Sequence, residues 1–168
     1  MIKLKSLLFE SDSQYDIFCD MDGVLTDFDK AYYELTGERA NVVKDKLSPQ
    51  EFWFPIKNAG REWWSNMDWM PDGKKLWSYI KKYDPTLLSA PSIEKSSKVG
   101  KRNWVNNNLS GTKLIMTRSA NKKKYASPTS ILIDDTKRNI DDWISSGGIG
   151  IHHTSTSNTI NQLKKLGL

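Results

Sequence analysis

Two rhythms of apolar and polar positions alternate along the chain. The run YDIFCD, ending at Asp20, is apolar, rich in β-formers and stops at carboxylates, the pattern of a buried parallel strand whose carboxyl end carries function. Short runs of the same kind recur at PTLLSAP, TKLIMTR, TSILIDD and IGIHH, with a lysine-rich loop, SANKKKYASP, between the third and fourth strands. Elsewhere the period lengthens to that of helices. PDGKKLWSYIKKY has a turn signal and then Leu76, Trp77 and Ile80; a helix is expected around Val99 to Leu109; NIDDWISSGG ends on a glycine stop; and SNTINQLKKLGL is expected to be capped by Ser157 or Asn158.

Residues 28–83 have a different character. FDKAYYELTG closes on a helix-stop glycine, LSPQEFW opens a helix with Ser-Pro, and the aromatic REWWSNMDWM follows. These features predict a small helical insertion at 28–83 within a core made of 1–27 and 84–168. Strands alternating with helices predict the α/β class: a doubly wound, Rossmann-like parallel sheet that binds ligands beyond the carboxyl ends of its strands. Asp20, Ser89 and the pair Asp134/Asp135 stand at three such ends.

Composition narrows the classes. A chain of 168 residues is long enough to bury one core, which argues against disorder. The only cysteine, Cys19, rules out a disulfide framework and a cysteine-rich zinc site, so a reducing cytoplasm is the expected location. The segment MIKLKSLLFE is too short for a membrane span and lacks an Ala-x-Ala cleavage site, so no membrane partner is expected. A net charge of +5 favours acidic partners, either small phosphorylated molecules or nucleic acid.

Carboxylates from two strand ends that meet at one sheet edge repel each other unless a hard cation lies between them. Mg2+ suits an all-oxygen site and leaves room for water and a phosphate group. A DxDG sequence by itself also fits a tight turn or a calcium loop. The strand before it, a second acid-terminated strand far along the chain and Ser89 between them favour catalysis. Asp27 is expected to brace the turn, and His152 and His153 to sit at a strand end rather than bind metal. Either Asp134 or Asp135 also suits a helix N-cap. Phe52, Trp53, Trp63, Trp64 and Trp69 fit either the insertion's own core or a base-stacking wall.

The order DMDGVLTDF, EFW, SAP, MTR, LIDD and GGIGIHH resembles the haloacid dehalogenase-like (HAD) phosphohydrolases over nearly the whole chain. It is most similar to the 5'(3')-deoxyribonucleotidase branch and related small bacterial and phage phosphatases. The resemblance implies an Mg2+-dependent phosphatase acting on nucleoside monophosphates, with Asp20 as nucleophile, Asp22 as proton shuttle and Ser89 as a hydrogen-bond donor to the phosphoryl group. It implies Mg2+ bound by Asp20, the Asp22 backbone carbonyl and one of Asp134 and Asp135, with Asp135 favoured. The phosphoryl-neutralising lysine is Lys122, Lys124 or Lys101, and the pattern Lys-x-x-Tyr-Ala points to Lys122. Phe28, Phe52 and Trp53 map to nucleoside contacts, and Ser89, Ala90, Arg118 and Lys124 to the substrate side. Two other readings are a phosphatase for polynucleotide ends or another small phosphorylated metabolite, and a nucleic-acid-binding domain without turnover.

Overall fold

The computed structural model describes residues 14–168. The lysine- and leucine-bearing segment at residues 1–10, with its short apolar run, lies outside them. Five strands, β1 (Asp16–Cys19), β2 (Thr86–Ser89), β3 (Leu114–Met116), β4 (Ser130–Asp134) and β5 (Ile149–His152), form one sheet in the order β3-β2-β1-β4-β5. Every pairing is parallel. All five strands lie in the runs the sequence pattern marks, and the α/β class holds. Among the described residues no helix is long and apolar enough to cross a membrane.

Period-two alternation divides the core between the faces of the sheet. Ile17, Cys19, Leu87, Ile131, Ile133 and Ile151 pack with α4 (Gly73–Ile80), α5 (Lys95–Asn108) and α7 (Thr156–Lys165). Leu88 and Leu132, with Phe18 and Ile115, meet Ile140 and Trp143 of α6 (Lys137–Ser145) on the other face. Burial on both faces explains why the strands read as continuous apolar runs.

Helices α1 (Phe28–Thr36), α2 (Ala40–Val43) and α3 (Pro49–Ser65) lie between β1 and α4. Asp27 caps α1 by accepting the Lys30 N–H at 3.0 Å. Ser48 and Glu51 form a reciprocal capping box at the start of α3. The segment enters and leaves through a narrow neck, where the Asp27 N–H donates to the Asp68 carbonyl at 2.8 Å and the Met70 N–H to the Leu25 carbonyl at 2.7 Å. Beyond the neck, α4 packs on α7 and its Leu76 and Ile80 are buried in the core.

Two helix limits differ from the sequence expectation. α7 is capped by Ser155, which accepts the Asn158 N–H at 3.2 Å, rather than by Ser157 or Asn158, because the chain leaves β5 early enough for Thr156 to be helical. α5 begins at Lys95, ahead of Val99, since its polar first turn is anchored by the buried Ser97 and carries no apolar signal. The lysine-rich loop contains a 3-10 helix at Ser119–Tyr125.

α3 and α5 lie in close contact. A Cβ at Gly100 would fall 2.3 Å from Trp64 Cβ and 2.6 Å from the Arg61 carbonyl oxygen. Gly100→Ala is therefore expected to destabilise the protein by about 1–3 kcal/mol through overpacking. Urea denaturation measures this, and an unchanged midpoint would refute so tight an approach.

Candidate active site

The site is built at the carboxyl ends of β1 and β4, where the strand order reverses direction. Asp20 continues β1, its N–H donating to the Ile133 carbonyl at 2.9 Å. The chain then turns sharply: the Met21 carbonyl accepts the N–H groups of Val24, Leu25 and Thr26, and Gly23 takes a φ of 79°. Gly23 also leaves room for Asp135, because a Cβ there would lie 2.1 Å from Asp135 Oδ2. Asp135 is exposed as a residue, yet its carboxylate tucks against this turn.

Lys122 is the charge at the centre. Its side chain is 2% exposed, and its ammonium lies 2.9 Å from Asp20 Oδ1 and 2.7 Å from Asp134 Oδ2. Asp134 is fully buried and its oxygens are engaged by the chain: Oδ1 accepts the Thr136 N–H at 2.8 Å, and Oδ2 also accepts Asn139 Nδ2 at 3.0 Å. Burial works to lower the lysine's pKa, but Asp20 and Asp134 reverse the effect and hold it above its usual value. Burial pushes the Asp20 carboxyl up to about 7; Lys122 opposes the rise, while Asp134, Asp22 and Asp135 add to it. Burial and then Asp134 and Asp22 push Asp135 up to about 6.

One lysine therefore does not offset the crowd of acids. Oxygen atoms of Asp20, Asp134 and Asp135 lie within 4.8 Å of one another. This all-oxygen donor set, with its unrelieved repulsion, fits a small hard divalent cation such as Mg2+.

The Asp22 carboxylate is held separately. Its Oδ1 accepts the Thr26 hydroxyl at 2.9 Å and its Oδ2 accepts Lys101 Nζ at 2.5 Å. Lys101 is buried in α5 and also lies over the Trp64 ring, 4.9 Å from its centroid. Of the three lysines considered from sequence, Lys122 reaches Asp20, Lys101 reaches Asp22, and Lys124 is exposed.

Above the acids is a cleft of about 350 Å³ whose walls include Phe28, Phe52, Trp53 and Ala90. Phe52 is buried and stacks on Tyr32 at 4.8 Å, so it serves both the insertion's core and the cleft wall. Trp64 is also buried and Trp63 partly so, while Trp69 packs on Trp104. Ser89 ends β2 fully buried, its hydroxyl without a hydrogen-bond partner among the described residues. Arg118 is exposed, and neither it nor Lys124 belongs to the cleft lining. His152 lies close to the acids without aiming its ring at the carboxylates: Nε2 donates to the Asp135 carbonyl at 2.9 Å. His153 Nδ1 pairs with the Thr159 hydroxyl at 2.8 Å.

Sequence reasoning missed Ser119, Asn139, Asn41 and Lys44, all of which line the cleft. Asn139 had a readable signal, a polar residue just before the apolar Ile140 and Trp143 of α6. It accepts the Ser119 hydroxyl at 2.6 Å while donating to Asp134. Asn41 and Lys44 carried none, because their approach depends on how α2 folds over the sheet edge.

Neither a protein-family model nor a curated protein sequence matches the chain. Solved structures do. A hydrolase from Streptococcus pneumoniae superposes with a TM-score of 0.53 at 13% identity, over 93% of this chain and 100% of that one. A HAD-superfamily hydrolase from Ehrlichia chaffeensis superposes with a TM-score of 0.55 at 12% identity, over 91% of this chain and 97% of that one. The fold is that of the HAD-superfamily hydrolases.

Replacing Lys122 with Met would leave Asp20 and the buried Asp134 without their cation. In the absence of divalent ions this is expected to destabilise the protein by about 3–5 kcal/mol. Equal denaturation midpoints for Lys122→Met and the parent would refute the central place given to the ammonium.

Proposed function

We propose that the protein is an Mg2+-dependent phosphomonoesterase that removes phosphate from nucleoside monophosphates through an aspartyl-phosphate. The observation that supports this most strongly is the meeting of Asp20, Asp134, Asp135 and Lys122 at one sheet edge, beneath an aromatic-walled cleft. Cation, phosphate and base thus each have a matching surface within one cleft.

In the first step a carboxylate oxygen of Asp20 attacks phosphorus, the bond to the nucleoside oxygen breaks, and Asp22 delivers a proton to the departing oxygen. In the second, Asp22 takes a proton from water, the water oxygen attacks the phosphorus of the aspartyl-phosphate, and inorganic phosphate leaves with Asp20 restored. Lys122 neutralises charge on the phosphoryl oxygens, and Ser89 turns its unpartnered hydroxyl to one of them. Mg2+ held by Asp20, Asp135 and the Asp22 carbonyl would supply further positive charge at the phosphoryl group. Asp135 is the better direct ligand, since the oxygens of Asp134 are already bonded to Thr136, Lys122 and Asn139. Lys101 and Thr26 position Asp22.

Phe28, Phe52 and Trp53 face the nucleoside, with Ala90, Asn41 and Lys44 completing the walls. Arg118 and Lys124 take no part in this reading. The insertion acts as a cap made of α1–α3 between the two sides of the neck, with α4 belonging to the core through its packing on α7.

Two outcomes are expected. With Mg2+, the protein releases phosphate from members of a nucleotide panel, and Asp20→Asn lowers kcat by more than about a thousandfold; undiminished turnover in that variant would rule out the nucleophile. Mg2+ also raises the melting temperature of the parent, and Asp135→Asn removes that rise while increasing the melting temperature in metal-free buffer. Calorimetry reads both effects, and a rise that persists in the variant would place the cation elsewhere.

A further inference from the structure

A second hollow, larger than the cleft, adjoins it. The groove between α3 and the loop that follows β2 holds about 660 Å³, and Trp53 lines both spaces. It contains none of the catalytic acids. Its charged lining residues, Lys57 and Glu94, are paired with each other at 3.3 Å, which leaves an apolar trough for a ligand.

The groove exposes three large apolar side chains. Trp53 is 38% exposed, Phe54 63% and Ile93 98%. These three side chains line one hollow. In the loop that carries Ile93, the Ser92 N–H donates to the hydroxyl of the fully buried Ser97 at 3.0 Å. That loop runs directly on from Ser89 and Ala90, so the phosphate end of the cleft and the groove wall are one continuous stretch of chain. Trp64 completes the wall, and its buried indole N–H has no acceptor among the described residues.

We infer that the groove is a second subsite that takes the neighbouring base of a short single-stranded oligonucleotide whose terminal phosphate lies in the catalytic cleft. This rests on the reading of the cleft as a nucleotide phosphate site. Three features select this occupant. The ligand must continue from a phosphoester past Trp53, its flat group must suit exposed aromatic faces, and it must be attracted to a chain of net charge +5. A single nucleotide fills the cleft and leaves the groove empty; an added nucleotide spans both.

The test is a binding comparison on full-length Asp20→Asn protein with Mg2+, followed by tryptophan fluorescence. Thymidine monophosphate is compared with terminally phosphorylated thymidine trinucleotides, one series carrying the phosphate at the 5' end and one at the 3' end. Stacking of one further base is expected to tighten binding about tenfold for one of the two series. Adding Phe54→Ser and Ile93→Ser, both at exposed positions that the core does not need, is expected to abolish that gain. Equal affinities for mononucleotide and both trinucleotides, or a gain that survives the two substitutions, would overturn the subsite. Failure of the unsubstituted protein to release phosphate from any of these ligands would instead overturn the proposed reaction, and the binding comparison would still decide the groove.

Discussion

A buried ammonium shared by two carboxylates is the constraint on which the rest depends. Lys122 lies between Asp20 and Asp134, which come from adjacent strands β1 and β4. Two acids at the end of a hydrophobic sheet carry a large desolvation cost, which neither packing nor solvent offsets. Direct ion pairing, the Thr136 N–H and Asn139 together make Asp134 tolerable. Asp20 and Asp135 receive less, and their carboxyl groups are pushed upward. The repulsion that remains among these oxygens fits a small hard cation.

A second constraint holds the insertion to the core. Gly100 lets α5 approach Trp64, the Trp104 indole N–H donates to the Met67 carbonyl at 2.8 Å, and Lys101 lies over Trp64 while bonding Asp22. Trp64, which stacks against the cleft residue Trp53, and the carboxylate of Asp22 are thus both held by one helix. Stability and site geometry share these contacts, so substitutions in α5 act on both.

Much of this was legible in the sequence because it was local. Each strand is a short apolar run and each acid pair stops a strand, whereas Asp27, expected to brace the turn, is the cap of α1. The pattern Lys-x-x-Tyr-Ala of the resembling family pointed to Lys122 but left Lys124 and Lys101 open, since counting along the longer loop does not separate them; Lys122 is the lysine that reaches Asp20. What stayed hidden was long-range or polar. Lys101 faces Asp22 across 79 positions of chain, a pairing with no periodic signature. The first turn of α5 is polar and unreadable from hydropathy, and the Ser155 cap lay hidden in a run of Ser and Thr. The aromatic residues could not be divided in advance between core and wall, since Phe52 serves as both.

The most direct measurement is to quench the protein during turnover of a phosphate-labelled nucleotide with Mg2+ and map the label by peptide mass spectrometry. A labelled phosphoryl group on the peptide containing Asp20, attached to that carboxylate and absent from Asp20→Asn, is the expected result. Sustained phosphate release with label on another residue, or continuing undiminished after Asp20→Asn, would contradict covalent catalysis at this sheet edge.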